Sequence, residues 1–338
     1  MKIAIDCRYL GKSGIGRVCR GIIDNLDYQE NEYFLVGKKD ALKGYDATVI
    51  EDNTDPFSKK GMLVFNKEIN KKCDVLLTPN FIIPLGIKIP VYSIIHDLIF
   101  LDLKKMTKGF IDGLIKKYLL KRCVKKSKKV FCVSEFTKSR CIHYYKKYAD
   151  KFIVNYNGLS DSVLSYDKTI DKRKGDLVFV GNVKPHKGLK TLVEALNLLG
   201  DGYTLKIIGE KDNFITGLNT DGMDSKNVVF TGRLDDDKLL DEIAGAEFLI
   251  QPSEYEGFGI PPLEALYLGT KPIVSDIEVF REVYKDFPVD FFSCKNEVDL
   301  KEKILSANPI IPDQKEKIKG VYSYKNTAKT IVENITVR

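Results

Sequence analysis

No run of 18 apolar residues occurs in this 338-residue chain, which argues against a membrane-spanning helix. The most apolar region, residues 75–101, is interrupted by Pro79, Pro84, Pro90, His96 and Asp97. Nor does the start read as a signal peptide: in MKIAIDCRYL the apolar run is short and Asp6 breaks it, so a strand is expected. Low-complexity tracts are absent, which places the chain among globular proteins. Seven cysteines occur, at 7, 19, 73, 123, 132, 141 and 294, without a C-x-x-C. Only three histidines accompany them, His96, His143 and His186, which argues against a structural zinc site. An odd cysteine count suits free, mostly buried thiols in a reducing cytoplasm.

Further absences narrow the chemistry. Gly11, Gly14 and Gly16 give G-x-x-G-x-G rather than a dinucleotide fingerprint, and no clear acidic partner follows about 20 residues later. No D-x-D stands in a suitable loop, since the three aspartates 235–237 open a helix. No nucleic-acid module or aromatic stacking platform is evident, so nucleic acid is not an expected partner.

What is present is a basic first half. Residues 1–150 hold 29 Lys/Arg against 17 Asp/Glu, and the remainder 25 against 30, for a total formal charge of +7. Such asymmetry suggests that one half faces something anionic. Most of the excess lies in 104–147, where 15 Lys/Arg meet only Asp112 and Glu135. A charge run is usually a solvated helix face. Here the expectation is peripheral contact with anionic lipid head groups.

The length favours two domains. Short apolar runs alternate with helical stretches: KIAID (2–6), YFLV (33–36), DVLLT (74–78), VYSII (91–95), KVFCV (129–133) and FIVN (152–155). After a polar interval the alternation restarts with LVFVG (177–181), LKIIG (205–209), VVFTG (228–232), EFLIQ (247–251) and PIVS (272–275). Near-continuous apolar strands suit parallel sheets covered on both faces. The order implies two doubly wound α/β domains, which bind ligands at the carboxyl ends of their strands. The expected boundaries are 1–160, a linker at 161–175, 176–322, and a C-terminal helix at 323–338 that could pack back on the first domain.

EYEGFGIPPLE (254–264) follows a strand directly. Gly257 and Gly259 permit close backbone approach, and Pro261 with Pro262 suits a first helical turn. The expected strand–turn–helix offers free amides to an anion or a hydroxyl. Glu264 is expected in that first turn, where it could take two hydrogen bonds from a ribose diol. Glu256 stands on the other side of the turn. An ordinary first-turn carboxylate would explain Glu264 by the helix dipole, but not the insert between the two acids.

E-G-F-G-x-P-x-x-E, followed by A-L-x-x-G-T-x-P-I-V, resembles the E-x7-E signature of family 4 retaining glycosyltransferases. FVGNVKPHKGLKTLVEAL (179–196), VVFTGRLDDDKLLDEIAGAEFLIQPS (228–253) and SGIGR (13–17) extend the likeness over most of the chain. The resemblance implies a GT-B fold, with two Rossmann-like domains facing an interdomain cleft, and neither a cofactor nor a metal. Its partners would be a nucleotide-sugar donor (UDP- or GDP-sugar) and a glycan or lipid-linked glycan acceptor, in bacterial surface polysaccharide assembly. The location would be cytoplasmic, at the inner face of the cell membrane.

By the same resemblance His96, Lys187 and Glu256 are the catalytic candidates. Gly14, Gly16, Asn182, Gly232, Arg233, Leu234, Gly257, Phe258, Gly259 and Glu264 would hold the donor. Lys187 falls where the family sets a lysine on the donor diphosphate. Asn182 departs from the family's usual arginine, leaving Lys184, His186 or backbone amides as its substitutes. Two alternatives stay open: a nucleotide-sugar epimerase of this architecture, and a non-catalytic partner subunit.

Overall fold

The computed structural model describes residues 1–63, 67–103, 107, 109–210 and 227–337. The chain divides into two units, Met1–Gly158 with Tyr322–Arg338, and Leu159–Val321.

The first unit is built on a seven-stranded sheet. Its strands are β1 (Lys2–Asp6), β2 (Glu32–Gly37), β3 (Thr48–Glu51), β4 (Val75–Thr78), β5 (Val91–Ile95), β6 (Ser127–Cys132) and β7 (Phe152–Val154). They lie in the order β3-β2-β1-β4-β5-β6-β7, all parallel. The second unit carries β8 (Arg173–Val180), β9 (Thr204–Ile208), β10 (Val228–Gly232), β11 (Ala246–Gln251), β12 (Lys271–Ser275) and β13 (Asp290–Phe292). Their order is β10-β9-β8-β11-β12-β13, again all parallel.

Burial on both faces explains the continuous apolar strands. In β8, Leu177 and Phe179 face a core with Leu189, Leu192 and Leu196 of the helix Leu189–Leu199. Val178 and Val180 face the opposite core, with Leu239, Ile243 and Ala265. Each sheet reverses its winding beside its first strand, between β1 and β4 and between β8 and β11. Ligands of such sheets bind at that reversal, beyond the carboxyl ends of the strands.

The segment 161–175, expected as a linker, is instead part of the second unit. Asp161–Leu164 forms a helical turn, and β8 already begins at Arg173. Specific contacts fasten the stretch. The Tyr267 hydroxyl donates to the Leu164 carbonyl at 2.9 Å, and Tyr166 donates to Asp241 at 2.8 Å. The helix Tyr324–Thr336 packs against the helix Ser13–Asp24 of the first unit.

Among the described residues no helix is long and apolar enough to cross a membrane. Six of the seven free cysteines are buried, and no cluster of potential metal ligands occurs among the described residues.

Candidate functional site

The carboxyl ends of β8 and β11 carry most of the candidate residues of the second unit. After β8 the chain makes a short 3-10 turn, Pro185–Lys187, that ends on Gly188 in the left-handed region (φ 68°). A Cβ there would lie 1.9 Å from the Pro252 carbonyl oxygen, so only glycine lets this turn sit on the end of β11. The Glu254 amide donates to the His186 carbonyl at 2.8 Å and joins the two strand ends.

That junction sets Lys187 against Glu256. Lys187 Nζ donates to Glu256 Oε1 at 2.5 Å, with side chains only 19% and 12% exposed. Ser253 Oγ donates to the same oxygen at 2.7 Å. Burial raises the Glu256 pKa, but the charge of Lys187 and the hydrogen bonds from Lys187 and Ser253 outweigh it. The carboxyl is held below its ordinary range and is ionised at neutral pH. A buried, ionised pair at a switch point is a place where charge can be exchanged with an anionic ligand.

His186 is pushed down to about 4, first by burial and then by the positive charge of Lys187. It is therefore neutral at pH 7 and adds no second cation beside Lys187. Its Nδ1 is buried with no hydrogen-bond partner among the described residues. Asn182 and Lys184 lie in the same β8-to-turn connection, half-buried and exposed respectively.

The turn after β11 is compact. Gly257 and Phe258 are buried, and Gly259 (φ 85°) caps the helix Ile260–Tyr267, whose first turn holds both prolines. The Tyr284 hydroxyl donates to the Gly259 carbonyl. Glu264 is 3% exposed. Contrary to expectation it does not lie in the first turn, which contains no acid. The helix starts one residue before Pro261, so Glu264 begins the second turn.

Glycines also end the strands beside β8. The Gly181 amide donates to Ile208 at 2.9 Å, and the Gly209 amide to Gly232 at 3.0 Å. A Cβ on Gly209 would come within 2.1 Å of the Gly181 carbonyl oxygen. Arg233 points largely to solvent, 4.0 Å from Glu210, and Leu234 packs on the core.

In the first unit, Gly14 and Gly16 are helical. The helix begins at Ser13 and takes both into its first turn. The Gly16 amide already donates to Lys12 at 3.0 Å, and a Cβ there would sit 2.4 Å from the Tyr9 carbonyl oxygen. What Gly16 contributes is room. His96 follows β5, and its Nε2 lies 2.7 Å from the Pro79 carbonyl oxygen. That contact assigns the proton to Nε2 and leaves Nδ1 as acceptor. Burial lowers its pKa against the opposing Pro79 bond and Asp97 charge, which favours the neutral ring.

The structure thus brings Lys187 and Glu256 into contact and sets Asn182, Gly232 and the Gly257–Gly259 turn at or beyond the carboxyl ends of β8, β10 and β11. Ser253, which orients Glu256, escaped the sequence reading, although it stands three residues before Glu256. The ion pair of Arg8 with Asp6 also escaped it. At the end of β1, Arg8 donates to both Asp6 oxygens, at 2.8 and 2.7 Å, in a buried setting.

Residues 164–309 match the family described as Glycosyl transferases group 1. The matched segment runs from near the start of the second unit through β13 and contains Lys187, Glu256 and Glu264. O-antigen chain mannosyltransferase RfbU of Salmonella typhimurium is 32% identical over 178 residues, 52% of this chain and 50% of that protein. The chain spans about half the length of the curated relatives it matches. Sucrose-phosphate synthase from Thermosynechococcus elongatus superimposes with a TM-score of 0.77 at 14% identity, over 99% of this chain and 98% of that one. HepE of Anabaena, solved with UDP and glucose, gives 0.73 at 16% identity, over 99% of each chain. These likenesses establish the fold: the two doubly wound units are those of the GT-B architecture.

Proposed function

We propose that the chain is a retaining, metal-independent glycosyltransferase. It moves a sugar from a nucleotide-sugar donor, a UDP- or GDP-sugar, to a hydroxyl of a glycan or lipid-linked glycan in surface polysaccharide assembly. The likeness to RfbU supports the acceptor class and makes mannose the first sugar to test. The HepE complex with UDP and glucose supports the donor class.

The observation that carries the reading is the buried Lys187–Glu256 pair at the switch point of the second sheet. A diphosphate arriving there competes with Glu256 for Lys187. In the transition state the bond from the anomeric carbon to the phosphate oxygen breaks and negative charge grows on the leaving group. Lys187 stabilises that charge. Glu256, released from Lys187, accepts hydrogen bonds from the sugar hydroxyls, and the amides of Gly257, Phe258 and Gly259 donate to the sugar oxygens. Glu264 binds the ribose. Gly232, Arg233 and Leu234 lie toward the base, and Asn182 toward the phosphates. Gly14, Gly16 and His96 are assigned to the donor and the anomeric centre by family resemblance alone. The acceptor hydroxyl attacks from the leaving-group side, and its proton passes to the departing phosphate oxygen, so configuration is retained. The basic tract 104–147, of which residues 104–106 and 108 lie outside the described residues, is assigned to anionic lipid head groups.

A panel of UDP-, GDP- and dTDP-sugars tests this reading, because a ligand of the native state raises Tm. A stabilising donor is then incubated with acceptor in excess chelator, and the product's anomeric configuration is read by NMR. Stabilisation by one donor and a retained product in chelator are expected. An inverted product, or loss of transfer on chelation, overturns the corresponding claim.

A further inference from the structure

The helix Phe110–Lys126 has an inner face and an outer face of different composition. Inward, Leu120, Cys123 and Val124 are fully buried: Leu120 and Val124 share a core with Phe152 and Cys141, and Cys123 joins the neighbouring core with Ala4 and Leu76. Lys151 locks its end, donating to the carbonyls of Val124, Lys125 and Ser127 at 3.2, 3.1 and 2.8 Å. The helix therefore cannot roll its outer face into the protein.

That outer face is apolar along its first half. Phe110 is 81% exposed, Ile111 72%, Leu114 50%, Ile115 49% and Tyr118 63%. At 3.6 residues per turn these five positions fall on one side and form a stripe roughly 12 Å long. Along the second half the same side turns basic: Lys117, Lys121, Lys125 and Lys126 are exposed. None of the four pairs with a carboxylate among the described residues, whereas Lys116, on the inner side, pairs with Asp112 at 2.8 Å.

A soluble domain does not ordinarily leave five large apolar side chains together in water. An occupant must cover apolar surface at one end and bring negative charge to the other. An anionic bilayer does both, with acyl chains beneath a layer of phosphate. We infer that the helix Phe110–Lys126 is a membrane wedge: its first two turns enter the acyl boundary while Lys117, Lys121, Lys125 and Lys126 hold the head groups. The inference rests on the head-group contact proposed above and adds insertion to it, so that attachment is no longer purely electrostatic.

The chain contains no tryptophan, so Leu114→Trp supplies a single reporter. The variant is mixed with vesicles of phosphatidylglycerol and phosphatidylethanolamine, and separately with phosphatidylcholine alone. Blue-shifted emission with the anionic vesicles is expected, with a bound fraction that survives 0.5 M salt. Phe110→Ser combined with Ile115→Ser should lower that salt-resistant binding on the order of 100-fold. Lys121→Gln with Lys125→Gln and Lys126→Gln should weaken recruitment at low salt. Unshifted emission from sedimented protein, or complete release by salt, overturns insertion while leaving head-group contact standing. No sedimentation at all overturns both. A dimer in gel filtration that the Phe110→Ser, Ile115→Ser variant abolishes assigns the face to a second copy and overturns the wedge. Donor-induced stabilisation without vesicles, unchanged in these variants, separates every outcome from a failure of the glycosyltransferase reading.

Discussion

Lys187 and Glu256 lie 69 residues apart in the chain and 2.5 Å apart in space. Each is buried and each relies on the other, so replacing one does two things. Lys187→Ala removes the cation proposed for the leaving group and should lower kcat about 100- to 1000-fold. It also strands a buried carboxylate, so the melting temperature should fall as well. Glu264→Ala should instead raise the KM for donor with a smaller change in kcat. Steady-state kinetics on both variants separates the two roles. His186 offers a different handle. Its folded pKa of about 4 lies below the unfolded value near 6.5, so the unfolded chain binds more protons between these values. Its stabilising share is complete above about pH 6.5 and is lost as pH falls toward 4, by up to about 1.4 kcal/mol per unit. Urea titrations at pH 7.5 and 5 should show this loss, and His186→Asn should diminish it. Residue types were legible in the sequence because glycine, proline and acid stand in a fixed local spacing. Their pairing was not, since it depends on β8 and β11 lying side by side.

At the scale of elements, the strand ends are shaped by what fits between them. Gly188 shows this most directly, with left-handed φ and the Pro252 carbonyl in the place of a side chain. Gly188→Ala should push the Pro185–Lys187 turn off β11, with a drop of several degrees in Tm and weaker donor binding; differential scanning calorimetry with and without donor measures both. The same scale explains what the sequence reading saw and missed. Strands such as LVFVG and EFLIQ were legible because burial on two faces leaves an unbroken apolar run. The stretch 161–175 looked like a linker because it is polar. Its order comes from partners far along the chain, Asp241 and Tyr267, which no local pattern displays. The helix that carries Glu264 was misplaced for a related reason. It begins at Ile260, one residue ahead of where the prolines suggested, because the close fit of Gly259 against Phe280 rather than a side-chain cap fixes that end.

At the scale of the molecule, the chain leaves the first unit after Gly158 and returns to it at Tyr322. Gly158 makes the return possible: a Cβ there would meet the Tyr324 amide nitrogen at 2.1 Å. Gly21, on the first long helix, leaves the space that the Tyr324 ring occupies. Tyr324 is 1% exposed, and Thr327 ties the returning helix down by donating to the Tyr156 carbonyl at 2.8 Å. Tyr324→Ala should therefore destabilise the first unit by about 3–5 kcal/mol, read as a lower urea midpoint. Ending the chain at Val321 should cost more than that.

This closing helix also constrains biosynthesis. During translation, residues 1–158 emerge well before Tyr322 and its successors, and until those clear the ribosome the first unit lacks its final packing layer. A premature stop near that point would injure the first unit although the break lies far along the chain from it, leaving that unit incomplete for chaperones and proteases to intercept.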